Sequence, residues 1–408
     1  MSLGQPDLYI GGQLMQTEKA DPRPALAGLR IGWGNDSRLD MDPPSTLAGQ
    51  FLIRGAMPSW LEVGAPVGLV DPVSARCLFA GNLAPLRAAA DESVRDALRV
   101  QFTATSPLAE LIKHKVSPVV FDNNTPSATR FNSLAVRMPR GWELTGSTGY
   151  NWVNQTKQQY QSKEWLTLAE RFCRSYMYRY HDTSYYTPGA GLFKRLTFSP
   201  DRGKTMPEAY IEDPIEPGAL GVWHTFNSIR PAGASGLATL PNAAVRTGVE
   251  WEKTPEDMIT DVLLTSYNGF EPDPDKDSTE WDFPMDQAPV SYDNSALQDA
   301  YGIRQAKIET SLTAYNSAAW AEIAATLVDY WLDVDNKWRP TGLQLPDSRV
   351  LGTDPLLNLL AVDTRGAAAV AVPDADLAPG LIRSFVMAGQ ATWTGKKWIT
   401  DLTLGRTL

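Results

Sequence analysis

The stretch FVMAGQATWTGKKWITDLTLG, residues 385–405, alternates apolar and other residues on either side of a glycine. Phe385, Met387 and Trp393 share one face of a first strand, with Gly389 and Ala391 between them. Trp398, Leu402 and Leu404 share a face of a second strand, and Thr394–Lys396 around Gly395 form the turn. A two-stranded ribbon is marginal by itself in water. This one must close or cover something larger, so the rest of the chain has to supply more strands.

It has the material to do so. A chain of 408 residues exceeds one ordinary core and is expected to hold about two to four domains. Its 43% apolar content is that of a folded protein, and its 30 prolines and 31 glycines are scattered as in a turn-rich, β-rich chain. The formal charge of −10 argues against gripping nucleic acid through its phosphates, though not against letting it slide past. Cys77 and Cys173 both sit beside apolar residues and read as buried free thiols. The opening MSLGQPDLYIGG does not read as a leader, and GAAAVAV at 366–372 is too short to span a bilayer. A soluble, cytoplasmically made protein is expected.

Along the chain, 47–53, 66–70, 75–83 and 98–105 read as strands, with a proline turn at 71–74. SPLAELIKH at 106–114 reads as a short helix with Ser106 as N-cap and Pro107 at its first position. Trp165, Leu168, Ala169, Phe172, Cys173 and Tyr176 form one helical stripe, after which Tyr176, Tyr178 and Tyr180 alternate as in a strand. Thr254–Asp257 reads as a capping box opening a helix that ends near Asn268. Ala319–Trp331 carries a second stripe, with an acidic, proline-broken loop before it. From about 340 the pattern returns to short strands.

Catalytic motifs are absent: there is no G-x-S-x-G, H-E-x-x-H, P-loop or C-x-x-C. His114, His181 and His224 stand in unrelated contexts and read as structural or surface residues rather than metal ligands. Asp273, Asp275 and Asp277 begin like a calcium loop, but Ser278 and Pro284 occupy its glycine and glutamate positions. No enzyme activity, cofactor or metal is expected. Trp152, Tyr176, Tyr178, Tyr185 and Tyr186 could stack on sugars, although tyrosines at strand spacing more often fill cores.

The two ends echo each other. GAPVGLVDP…CLFAGNL (64–83) and GAAAVAVPD…SFVMAGQA (366–391) each run from Gly-Ala through a valine strand and a proline turn. Each returns with a phenylalanine, Phe79 or Phe385, before a glycine, Gly81 or Gly389, the type of residue that marks a bulge or a barrel corner. The expected fold is thus α+β and β-rich. Two related small antiparallel β-barrels lie at the chain ends, with a middle α+β region and helices between them. The division is 1–115, first barrel; 116–250, middle domain; 251–335, helical segment with the acidic loop; 336–408, second barrel.

RIGWGNDSRLDMDPPSTLAGQFLI (30–53), WLEVGAPVGLV and LFAGNL resemble the first barrel of bacteriophage tail-tip or baseplate hub proteins, the minor tail proteins of actinobacterial phages. The segments 318–331, 341–345, 354–361, 366–373 and 383–404 resemble that family's closing part. The resemblance covers about 180 residues at the two ends. It implies a structural virion protein at the tail tip. Two barrels per chain in a homotrimer would present a pseudo-sixfold ring to a sixfold tail tube and enclose the DNA-exit channel. Implied partners are further copies of the chain, a distal tail protein or tube ring, the tape measure protein, and tail fibres or receptor-binding proteins. Viral DNA would be met only in passage, and no membrane span is implied. On this reading Phe79, Gly81, Phe385, Gly389, Trp393 and Trp398 serve barrel closure and assembly. The alternatives are a hexameric distal tail protein, a receptor- or carbohydrate-binding tail protein, and a cell-wall hydrolase built on a carboxylate pair.

Overall fold

The computed structural model describes residues 5–15, 26–35, 41–90, 96–117, 119–121, 126–146, 158–160, 163–176, 178–200, 221–224, 249–252, 260–266, 290–293, 295–310, 338–345, 357, 359–362, 368–372 and 382–407. The first strands in chain order are β1 (Asp7–Ile10), β2 (Gln13–Leu14), β3 (Ala27–Gly34), β4 (Thr46–Arg54), β5 (Pro66–Val70), β6 (Cys77–Ala90) and β7 (Ala97–Thr105). Helix α1 (Leu108–Leu111) leads to β8 (Lys115–Val116), β9 (Val119–Phe121), α2 (Ser127–Ala135), β10 (Trp142–Gly146), β11 (Gln158–Tyr160), β12 (Lys163–Glu164) and α3 (Trp165–Tyr176). Next come β13 (Tyr178–Asp182), β14 (Tyr185–Thr187), β15 (Gly191–Pro200), β16 (Gly221–His224), β17 (Val249–Glu252), β18 (Asp261–Ser266) and β19 (Val290–Asp293). The chain ends with α4 (Ser295–Tyr301), β20 (Gln305–Thr310), β21 (Arg339–Leu345), β22 (Ala368–Val372), β23 (Ile382–Trp393) and β24 (Trp398–Thr407).

Thirteen strands, seven from residues 7–105 and six from 221–407, form one antiparallel sheet, in the order β17-β21-β24-β23-β3-β4-β7-β6-β5-β1-β2, with β22 on β23 and β16 on β22. Setting β2 aside, the sheet is one six-strand unit used twice. The first unit, numbered 1 to 6 along the chain, is β1, β3, β4, β5, β6 and β7, and it pairs in the order 2-3-6-5-4-1. The second is β16, β17, β21, β22, β23 and β24, which pairs in the same order. Every pairing in both is antiparallel. Among the described residues neither unit closes on itself. The two units are joined where β23 pairs with β3. Their apolar faces share a single core that runs from Leu8 and Ile31 to Trp398 and Leu404.

The middle region has a core of its own. In α3 the stripe Trp165, Leu168, Ala169, Phe172 and Cys173 is buried, as the helical spacing requires. It packs with Phe131, Tyr180, Leu196 and Phe198, and the Phe131 and Phe198 rings meet edge to face at 5.5 Å. The sheet beneath has β15 at its centre, with β10 parallel on one edge and β13 and β14 antiparallel on the other. Both cysteines are buried and free, as expected.

Two expectations change. The segment 261–266, expected to be helical, is strand β18, paired with β19 and parallel to β20. Its DVLLTS sequence leaves a β-branched residue on each side of a Leu-Leu pair, so sheet partners override the helix signal. The box at 254–257, the stripe at 319–331 and the acidic loop lie outside the described residues. The second change is at α1. The Ser106 hydroxyl does not cap the helix; it accepts from the backbone N–H of Ser45, and the Leu108 N–H donates instead to Asp182 Oδ2 at 3.0 Å.

Asp182 also accepts the Ser184 N–H through Oδ1, so one carboxylate holds a helix start and a strand end 74 residues apart. Burial pushes its carboxyl above the ordinary value, against the opposing pull of hydrogen bonds from Ser184, Ser106 and Leu108. The unfolded carboxyl therefore ionises first. Stability is lost as pH rises from the usual carboxylate value of about 4 through the raised folded value. Urea melts across this window should show wild type losing ground to Asp182→Asn as pH increases. Asp182→Ala, which orphans both N–H groups, is expected to cost about 1–3 kcal/mol.

Candidate assembly site

The closing ribbon forms with Trp393 opposite Trp398, flanking the loop Thr394–Lys397. Gly395 takes φ +91°, and the Thr394 N–H donates to the Lys397 carbonyl at 3.0 Å. The two indoles lie 5.5 Å apart at 51° and are 3% and 1% exposed, so both belong to the shared core. Thr400, Leu402 and Leu404 continue the inward face of β24. The alternation expected for β23 holds from Met387 onward, with Met387, Ala391 and Trp393 buried and Gly389 facing the Trp33 indole. Irregularities between Ser384 and Val386 and between Val386 and Ala388 turn Val386 inward beside Met387. Phe385 pairs through its backbone with Ala369 of β22.

β23 carries two partners in succession on one edge. Ile382–Phe385 pair with β22, and Ala388–Trp393 then pair with β3. This joint depends on Gly389. It stands opposite Trp33, and a Cβ there would lie 2.2 Å from Cζ2 of the indole, so the ring lies across the space that a side chain would fill. Further along, Trp393 opposes Leu29, Ala391 opposes Ile31, and the Arg30 guanidinium donates to the Gln390 side-chain carbonyl.

Phe79 and Gly81 sit in the matching hairpin of the first unit. Phe79 is fully buried opposite Leu69, and Gly81 opposes Val67. A Cβ on Gly81 would meet the Thr105 carbonyl at 2.3 Å. The echo thus corresponds to a hairpin common to both units, but its two glycines do different work. Gly81 clears a backbone within its own unit, whereas Gly389 clears an aromatic ring in the other.

The aromatic residues considered for sugar stacking are dispersed. Tyr178 is 4% exposed in the middle core, and Tyr186 is 2% exposed. The Tyr186 ring stacks on Tyr9 at 5.6 Å and lies over Gly68, and its N–H donates to Cys77 Sγ, fastening the middle region to β1, β5 and β6. Neither tyrosine has a face open to a sugar. Tyr185 is half-buried, stacked on Phe193 at 4.9 Å with the Arg195 guanidinium 5.0 Å above its ring. Tyr176 ends α3, and Trp152 lies outside the described residues.

The titratable groups act as fasteners. His181 Nδ1 lies 2.9 Å from Asp42 Oδ2 and Arg179 lies 3.5 Å from Oδ1, which ties the β3–β4 connection to β13. His114 Nε2 meets the Arg137 carbonyl at 3.1 Å. Glu110 receives the Lys194 ammonium and the Asn82 amide, linking α1, β15 and β6. Burial, aided by the nearby Glu170 carboxylate, pushes the Tyr180 hydroxyl well above its ordinary value. Among the described residues no cluster of His, Cys, Asp or Glu could hold a metal, and no helix is long and apolar enough to cross a membrane.

No family model and no curated protein matches the sequence. Solved structures do. The 43 kDa tail protein of prophage MuSo2 from Shewanella oneidensis superposes with a TM-score of 0.55 at 10% identity, over 99% of this chain and 98% of the other. The tail protein from Neisseria meningitidis MC58 gives 0.51 at 11% identity, over 98% and 96%. The fold is that of these phage tail proteins. The likeness runs from end to end, so it includes the middle region, which the sequence could not match to anything. The fused six-strand units and the domain between them belong to one architecture.

The paired order of strands is the feature that sequence reading missed. Its only traces in the sequence are the hairpin words around Phe79 and Phe385. The strands that complete each unit, β16 and β17 among them, lie 100 or more residues before β22–β24 and are short.

Proposed function

We propose that the chain is a structural protein of a phage tail tip, a hub that joins a sixfold tail tube to a threefold tip and forms part of the DNA-exit channel. The observation that carries this reading is the six-strand unit used twice in one sheet. Two equivalent units per chain in a trimer present six equivalent positions, which is what a threefold part needs in order to meet a sixfold one. The end-to-end likeness to tail proteins supports the setting, and the charge of −10 suits a lumen that must release DNA. The role needs no reaction of its own. Its partners would be two further copies, the tube or distal tail ring, the tape measure protein, and tail fibres or receptor-binding proteins. A hexameric distal tail protein would need only one unit per chain, so the duplication favours the hub.

Native mass and single-particle images, of the free protein and of isolated tail tips, test this. Threefold rings with six similar lobes around a channel are expected. A true sixfold ring would move the chain to the distal tail position, and a peripheral monomer would point to receptor binding.

A further inference from the structure

The two units are joined inside the chain by strand position 5 of the second unit pairing with position 2 of the first, β23 with β3. Each chain also holds the other half of that joint. Position 5 of the first unit is β6, whose edge toward β5 is filled as far as Leu83, which exchanges backbone hydrogen bonds with Gly64 and Ala65. From Leu86 to Ala90 its opposite edge pairs with β7, and no described strand lies on the first edge. Position 2 of the second unit is β17, which pairs with β21 and with no other described strand. Arg87 to Ala90 are exposed, and a bare edge of small apolar residues invites another strand.

We propose that β6 of one copy pairs antiparallel with β17 of a second copy, repeating between chains the joint made within each chain. The ring reading supplies the identity of the partner, and the duplicated pairing order supplies the geometry. The register follows from the internal joint. Leu402 opposes Gly389 in the second unit as Phe102 opposes Leu86 in the first, which places Ala391 on Ala88 and Trp393 on Ala90. Leu343 opposes both Leu402 and Val249, as Gly49 lies between Phe102 and the bulge before Arg30 of β3, which places Val249 on Leu29; counted along β17, past the register shift that β21 makes against it between Glu250 and Trp251, Trp251 falls on Ile31. The joint between chains therefore sets Ala90 opposite Val249, Ala88 opposite Trp251 and Arg87 opposite Glu252. The residues suit these places. Alanines leave room for the half-buried Trp251 and Val249, and the exposed Arg87 meets the exposed Glu252 with opposite charge. A head-to-tail joint of this kind runs on until its rotation closes, and three copies complete the six positions.

The test is oxidation of the full-length Ala90→Cys/Val249→Cys double variant, with the native cysteines buried and out of reach. A covalent ladder that stops at three chains is expected. Each single variant and the out-of-register pair Ala90→Cys/Glu252→Cys should stay uncross-linked. Arg87→Glu should weaken each joint about fivefold, and Glu252→Arg added to it should restore the oligomer. The thermal midpoint of each monomer confirms that the variants fold. An oligomer by native mass in which Ala90 and Val249 do not cross-link overturns this joint and leaves the ring reading standing. A wild-type chain that is monomeric both in solution and in tail tips overturns both. Cross-linking in tail tips to a different protein shows that the occupant of the edge is not a second copy.

Discussion

Trp398→Ala is expected to lower the unfolding free energy by about 3–5 kcal/mol, the cost of emptying a large, fully buried site. The indole is 1% exposed and packs on Trp393 within the shared core, so the hole has little freedom to collapse. The ribbon lies in the same core as the first unit, and the loss should reach that unit as well. Hydrogen exchange should speed up in β3 and β4 as well as in β23 and β24. The denaturation midpoint and this exchange pattern check the result. A loss confined to the last two strands would mean that the ribbon packs as an appendage.

That shared core explains what the sequence could and could not convey. The strands at 47–53, 98–105 and 341–345 and the helix beginning at Trp165 were legible because their periodicity is local and one face of each is buried, and 66–70 because it is a short apolar run between turns, buried on both faces. The hairpins around Phe79 and Phe385 were legible as an echo for the same reason. The joint between the two units was not legible, because the pairing of Gly389 with Trp33 spans more than 350 residues and leaves no local pattern. Tyr178 and Tyr186 illustrate the same limit at the candidate site. Their spacing suits a stacking platform and a core strand equally, and only the packing of Phe198 and Gly68 around them decides for the core. The cap at α1 was misplaced because Asp182, the true acceptor, comes from another part of the chain.

Gly389→Ala should destabilise the chain by about 1–3 kcal/mol, a large effect for one methyl group, because the new Cβ falls 2.2 Å from the Trp33 indole and 2.6–2.7 Å from its next atoms. Trp33→Ala should cost about 3–5 kcal/mol by itself, since the ring is 7% exposed. The informative number is the double variant. With the indole gone the alanine at 389 has room, so the two losses should fall short of additivity by about 1–3 kcal/mol. Gly34, at the other end of the same joint, provides the contrast. It sits at φ +76°, and a Cβ there would lie 2.2 Å from the Met387 carbonyl oxygen. The obstruction is backbone, so Gly34→Ala should be as costly with Trp33→Ala as without it. Urea melts of the three singles and two doubles separate the cases. Additive losses at Gly389 and Trp33 would mean that the glycine is not there to admit the ring, and the joint between the units would then rest on its backbone hydrogen bonds.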